Sequence, residues 1–275
     1  MSVPDEEAAL LGLAPVAPHR SVAYGPHPDQ RVDLYDPAPG TARGPYVVLV
    51  HGGFWRAAYD RTHLSPAAAE LARQGLPVAL VEYRRVGGGG GGDRTFDDAA
   101  AAVAAATAAW RADGPGPAPA PVLVGHSAGG QLTLLTAARA APGRIGRVVA
   151  VAPVADLAAA HRLGLSDHAV AALLGDGPGF AERLAAADPV RHPPAGVPVT
   201  VLHGTDDPEV PPQLSRSFAD AARAAGVPVA LRELPGVGHY APFVPSAAAF
   251  RTLLDELRGD AGDGSARRVV PPRST

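Results

Sequence analysis

Three observations predict a single α/β domain with a mostly parallel central sheet and helices on both faces. Short β-branched apolar runs recur along the chain, longer Ala/Leu/Arg segments separate them, and glycine-flanked polar motifs sit where the runs end. Apolar runs without alternation suit strands buried on both faces, as in a parallel sheet covered by helices. Regular strand–helix alternation argues for one doubly wound layer structure. A length of 275 residues allows one large α/β domain or two small ones, and no internal repeat or convincing boundary favours the second.

In chain order, Arg31–Tyr35 alternates in polarity and predicts an outer, antiparallel strand. The runs Tyr46–Val50, Val78–Val81, Val122–Val124, Val148–Val151, Val199–Leu202 and Val229–Leu234 predict the sheet proper. Helices are expected over 62–74, with Thr62 as N-cap, and over 95–112, where Asp97 and Asp98 follow Thr95 and suit a helix N-terminus. Further helices are expected near 129–141, 211–225 and 244–258. The stretch 154–198 reads as a cap-like insertion forming a small partial lid, with short helices over Ser166–Leu174 and Phe180–Ala187. Gly87–Gly92 reads as a mobile loop and Gly114–Pro121 as a connector. Residues 259–275 read as a disordered tail, which leaves 1–258 as the domain.

Composition narrows the function classes. With 47% hydrophobic residues, 19% charged residues and a net charge of −3, nothing calls for a nucleic-acid or anionic-membrane partner. All 24 basic residues are Arg, which with 32 Gly and 30 Pro reflects coding bias more than a phosphate site. The absence of Cys excludes disulfides, thiol catalysis and thiolate metal sites. No apolar run reaches the roughly 18 residues that span a bilayer. The acidic start Met1-Ser2-Val3-Pro4-Asp5-Glu6-Glu7 is not a secretory signal, so a cytoplasmic location is expected.

Four motifs carry chemistry. Gly125-His126-Ser127-Ala128-Gly129 lies between a predicted strand and a helix, the context in which G-x-S-x-G exposes a nucleophilic serine on a strained turn. Ser127 is the candidate nucleophile, with helix amides behind it facing the developing charge. His51-Gly52-Gly53-Phe54-Trp55 follows the strand at 46–50 and suits an oxyanion loop. Ala128 is assigned one oxyanion amide and Gly53 or Phe54 the other, while His51 braces the loop. Phe54 and Trp55 are either core residues or pocket walls, and Trp55 and Tyr240 are the candidate substrate contacts. His203-Gly204-Thr205-Asp206-Asp207-Pro208-Glu209-Val210-Pro211 offers the carboxylate that must orient a base histidine. The spacing favours Asp207, with Asp206 a turn or capping residue and Asp156 a helix cap or alternative acid. Gly236-Val237-Gly238-His239-Tyr240 supplies His239 as general base on a glycine-flanked loop. The order Ser127, Asp207, His239 is the one expected for this chemistry on an α/β sheet. Tyr83 or Arg84, after the run at 78–81, either touches substrate or belongs to an ion pair bracing the loop. His161, His168 and His192 lack zinc-like spacing, so no metal is expected.

On these motifs the sequence resembles the α/β-hydrolase superfamily over roughly residues 30–258, and HGGFW with GHSAGG resembles its esterase and formamidase branch. Kynurenine formamidase-like proteins, small carboxylesterases and the catalytic domains of prolyl oligopeptidase-type peptidases look similar. The resemblance implies cofactor-free hydrolysis of a small-molecule ester or amide by a serine hydrolase. It does not choose among a carboxylesterase, an arylformamidase and an exopeptidase, and it leaves oligomeric state open. Transfer to an alcohol, carbon–carbon cleavage and a non-catalytic binding module on the same fold are the rival readings.

Overall fold

A computed structural model describes residues 1–112 and 120–259. Its centre is an eight-stranded sheet in the order β1-β2-β4-β3-β5-β6-β7-β8. The strands are β1 (Arg20–Ala23), β2 (Arg31–Tyr35), β3 (Val47–Val50), β4 (Val78–Val81), β5 (Val122–His126), β6 (Arg147–Val151), β7 (Val199–Gly204) and β8 (Val229–Leu234). From β3 to β8 every pairing is parallel; β1 and β2 add an antiparallel edge next to β4. The apolar runs therefore form the parallel body, and the alternating segment 31–35 is an antiparallel strand near one edge, as its pattern predicts. β1 has no apolar run to mark it, because its residues alternate between half-buried and exposed.

Helices cover both faces. The helices are α1 (Val3–Leu11), α2 (Ser65–Arg73), α3 (Asp93–Ala112), α4 (Ala128–Arg139), α5 (Leu157–Arg162), α6 (Leu165–Leu174), α7 (Phe180–Ala187), α8 (Gln213–Ala224) and α9 (Ala248–Arg258). Alternate residues of strands β2 to β7 feed two cores, as the pleat requires. Val48 and Val50 pack with Phe96 and Trp110 of α3, Leu132 of α4 and Phe218 of α8. Val47 and Leu49 pack with Leu10 of α1, Leu71 of α2 and Phe250 of α9. α1 was not anticipated, since only Glu6 and Leu10 of its residues are buried.

Two sequence expectations need correction or limits. The run Gly87–Gly92 is an ordered, hydrogen-bonded turn. The amides of Gly88 and Gly90 donate to Arg85 O at 2.9 and 3.0 Å, and Gly92 N donates to Leu173 O of α6 at 2.7 Å. Its glycines are needed for backbone conformation, with φ of 86°, 82° and 114° at Gly87, Gly89 and Gly91. Most of the connector 114–121 and all of the tail after 259 lie outside the described residues.

The topology sets where chemistry can occur. The chain leaves β3 toward β4 on one side and returns to β5 on the other, so the loops after β3 and β5 diverge at a switch point. Ligands in open α/β sheets bind in that crevice, at the carboxyl ends of the strands. His51–Trp55 follows β3, Ser127 follows β5, Asp207 follows β7 and His239 follows β8. Because these strands are parallel, all four segments emerge at the same edge. The segment 154–198 adds α5, α6 and α7 beside it.

Candidate active site

Ser127 sits between β5 and α4 with φ 55° and ψ −117°, a conformation sparsely populated by residues with a side chain. Packing enforces it. A Cβ on Gly125 would lie 2.3 Å from Gly129 O, and one on Gly129 would lie 2.2 Å from Val50 O. Strand and helix can approach this closely only with glycine at both places. Ser127 N donates to Val151 O at 2.9 Å, and Ser127 O accepts from Gly130 N at 2.9 Å. Ala128 is the first residue of α4, so its amide has no partner within the helix and belongs to the positive end of the dipole.

The loop after β3 is equally constrained. Gly53, Phe54 and Trp55 have φ of 96°, 47° and 58°. Such strain persists only where the surroundings fix it, and a buried polar network does so. His51 uses Nδ1 on Gly52 O at 2.8 Å and Nε2 on Glu82 Oε1 at 2.9 Å, and Tyr83 OH donates to His51 O at 2.9 Å. Glu82 also receives Arg85 Nη1 at 2.8 Å and the amide of Arg61 at 2.9 Å. Burial opposes its charge, yet the adjacent His51 and Arg85 carry its pKa down to about 2. Glu82, Tyr83 and Arg85 thus brace the loop from beneath. Arg84 is paired with Asp98 at 2.7 Å. Arg56 reaches α6, donating to Ser166 O at 2.5 Å and Asp167 O at 3.0 Å.

His239 Nδ1 donates to Asp207 Oδ2 at 2.6 Å. The other carboxylate oxygen of Asp207 accepts the amides of Glu209 at 2.8 Å and Val210 at 2.9 Å. A second imidazole shares Oδ2: His203 Nε2 lies 3.2 Å away, and 2.9 Å from Val210 O, while its Nδ1 faces Ser215 Oγ at 2.6 Å. Burial works against ionisation of Asp207, but the bonds from His203 and His239 hold its carboxyl far below the usual range. Among the described residues no protein group hydrogen-bonds to His239 Nε2. In free enzymes the bond from base to nucleophile often tightens only when substrate binds.

Ser127, His239, Gly53 and Phe54 line one small cavity of about 120 Å³, together with Tyr240. Leu11, Tyr59, His63, His126, Ser166, Glu7 and Glu209 complete its wall. Desolvation and the neighbouring His51 lower the pKa of His63 to about 4, so it is neutral near pH 7. The structure does not bring Trp55 to this cavity: it is fully buried, and its Nε1 donates to Gln131 at 3.2 Å. Asp206 is exposed in the turn and receives Thr205 Oγ1, while Asp156 caps α5 through Ala159 N at 2.8 Å. Among the described residues no cluster of three or more His, Asp or Glu side chains is arranged to hold a metal ion. No helix among them is long and apolar enough to cross a membrane.

Sequence reasoning missed His203 and Glu6. His203 opens the H-G-x-x-D motif, and its i,i+4 spacing to Asp207 was an available signal. Glu6 accepts the amide of Gly238 from 232 positions away, and no local pattern marks it.

Known proteins share this fold. A probable isoprenylcysteine alpha-carbonyl methylesterase of Oryza sativa subsp. japonica is 28% identical over 284 aligned positions, covering 92% of this chain and 65% of that protein. This chain therefore spans just under two thirds of the relative's length. Among solved structures, esterase B from Lactobacillus rhamnosis superposes with a TM-score of 0.76 at 20% identity, covering 93% of this chain and 91% of that one. A bacterial heroin esterase gives 0.71 at 23% identity, covering 92% and 86%. At such identities the likeness establishes the α/β-hydrolase fold. The sequence itself matches the prolyl oligopeptidase family over residues 75–254, more than half of its length, and the chain belongs to that family.

Proposed function

We propose that this protein is a serine hydrolase that cleaves small esters through an acyl-enzyme intermediate. The observation that carries the reading is the single cavity in which Ser127, on its strained turn, faces the loop of His239, whose Nδ1 is committed to Asp207 at 2.6 Å. With that nitrogen occupied, Nε2 is left to take the serine proton. Ser127 Oγ then attacks the carbonyl carbon, and the oxyanion accepts from the amides of Ala128 and of Gly53 or Phe54. Collapse breaks the ester bond, His239 returns the proton to the departing alcohol, and water releases the acyl group by the same route. Every step uses side chains and backbone of this chain.

An ester is preferred over a peptide because the cavity is small and because the sequence relative and the structural neighbours are named as esterases. Aryl formamides, whose acyl group is smaller still, are the comparison substrate. The test is covalent labelling with a fluorophosphonate, mapping of the adduct, and turnover of p-nitrophenyl acetate, N-formylkynurenine and a dipeptide anilide. Labelling at Ser127 with fastest turnover of the acetate is expected. Ser127→Ala should abolish labelling and lower kcat by about 10⁴-fold or more. Retention of most activity in that variant would refute the assignment, and faster turnover of the formamide would move the substrate class.

A further inference from the structure

The loop that carries His239 is held from a part of the chain with no motif. Glu6, on α1, is 2% exposed. Its Oε1 accepts the amide of Gly238 at 2.8 Å, and its Oε2 accepts those of Ala241 at 2.9 Å and Tyr240 at 3.1 Å. These amides bracket His239 on both sides. A Cβ on Gly238 would lie 2.8 Å from Glu6 Oε2 and 2.8 Å from Val3 Cγ1, so the loop meets the helix this closely only as glycine. From the other direction, His126 Nε2 donates to the carbonyl of His239 at 3.0 Å.

Turn amides buried without a sheet partner need an acceptor. A carboxylate does more than satisfy them. Two oxygens fixed on one rigid group set the orientation of three peptide planes, and so the direction in which the Cα–Cβ bond of His239 points. Charge-assisted bonds of this kind are shorter and more directional than bonds to water. Packing alone would dock α1, because Leu10 is buried in the core beneath it. We infer that Glu6 is a positioning residue for His239, aiming its imidazole between Asp207 and Ser127. The inference rests on His239 being the general base. The same helix sends Glu7 and Leu11 to the cavity wall, so α1 is part of the active-site structure.

The experiment compares Glu6→Ala, Glu6→Gln and Leu10→Ala in the full chain, with active sites counted by fluorophosphonate titration. Glu6→Ala should lower kcat per titrated site by about 10- to 100-fold with KM changed less than about twofold, because a misaimed base slows chemistry without altering ground-state binding. Glu6→Gln keeps one acceptor oxygen but turns a donor toward amide donors, so its kcat should fall between wild type and Glu6→Ala. Leu10→Ala should lower the unfolding temperature and leave kcat per site near wild type. The far-downfield imidazole N–H proton expected of a short bond to Asp207 should broaden or vanish in Glu6→Ala and persist in Leu10→Ala. Wild-type kcat per site in both Glu6 variants, or equal losses in Leu10→Ala, would overturn the inference. If Glu6→Ala does not fold, Glu6→Gln decides alone. Failure of wild type to label or turn over would instead refute the proposed hydrolase.

Discussion

His51 and His239 stand on two loops at the same edge of the sheet, each against a buried carboxylate, 2.9 Å from Glu82 and 2.6 Å from Asp207. The surroundings separate them. His51 has both nitrogens committed to acceptor oxygens, stacks on Tyr83 with ring centroids 4.5 Å apart, and is closed off from solvent. Its carboxylate partner also holds Arg61 and Arg85. His239 has one nitrogen committed, lines the cavity beside Ser127, and faces a carboxylate whose other partners are His203 and two backbone amides, with no guanidinium. A histidine with no free nitrogen cannot relay a proton, whereas one with a free nitrogen beside a cavity can. A histidine on a buried carboxylate therefore serves as a brace in one place and, in the proposed mechanism, as a base with its orienting acid in the other.

The sharpest way to break this contrast is to remove one charge from each pair. Asp207→Asn should lower kcat by about 10⁴-fold, since an amide can hold the wrong tautomer of His239. Asp206→Asn, in the exposed turn, should leave kcat within about twofold of wild type, as surface changes away from special features usually do. Steady-state kinetics on all three proteins decides it, and the reverse ranking would move the acid to Asp206.

Glu82→Gln should act chiefly on stability. Removing one member of a buried charge network strands His51, Arg61 and Arg85, at a cost of about 3–5 kcal/mol. Urea unfolding measures that loss. The kcat of the folded fraction should drop far less than in Asp207→Asn, through slackening of the loop at Gly53–Phe54. The acid limb gives the same information independently. Glu82 is depressed in the folded state to about 2 from an ordinary 4.5, so the stability it contributes is complete above about 4.5 and is lost as pH falls toward 2. Unfolding temperature against pH should therefore fall less steeply through that window in Glu82→Gln than in wild type. A variant with wild-type stability and no activity would place Glu82 in the chemistry and erase the contrast.

The two pairs were not equally legible in the sequence. Asp207, His239 and Ser127 each lie in short motifs after apolar strands, so their order and spacing could be read locally. The strands β3 to β7 were visible for the same reason: both faces are almost wholly buried, which leaves largely apolar runs, whereas β8 at the sheet edge is half-buried to exposed and carries Arg232 and Glu233. Glu82 and Arg85 stood in a segment whose bracing role was one of two readings, and only the fold puts them under His51. Glu6 could not be found, because its partners lie more than 230 positions away and α1 buries one other side chain. The glycine run misled, because composition signals chain freedom but not the Leu173 carbonyl that fixes it. Trp55 was attractive as a pocket wall from its place in the motif. A bulky side chain one residue past the turn instead points into the core, where Gln131 takes its N–H.

His203→Asn sharpens the comparison most finely, because His203 touches Asp207 without touching the cavity. Asp207 Oδ2 is shared between His239 at 2.6 Å and His203 at 3.2 Å. If the carboxylate relied on His203 for its orientation, the variant would approach Asp207→Asn in severity. Its other oxygen, however, is pinned by the amides of Glu209 and Val210. Two bonds to one oxygen leave the carboxylate plane little freedom. The loss should therefore be that of one net hydrogen bond, about 0.5–1.5 kcal/mol, or at most about tenfold in kcat. KM should stay unchanged, since substrate meets neither residue. A loss near 10⁴-fold would make His203 an equal partner in the acid's function, and the base would then depend on a pair of imidazoles flanking one carboxylate.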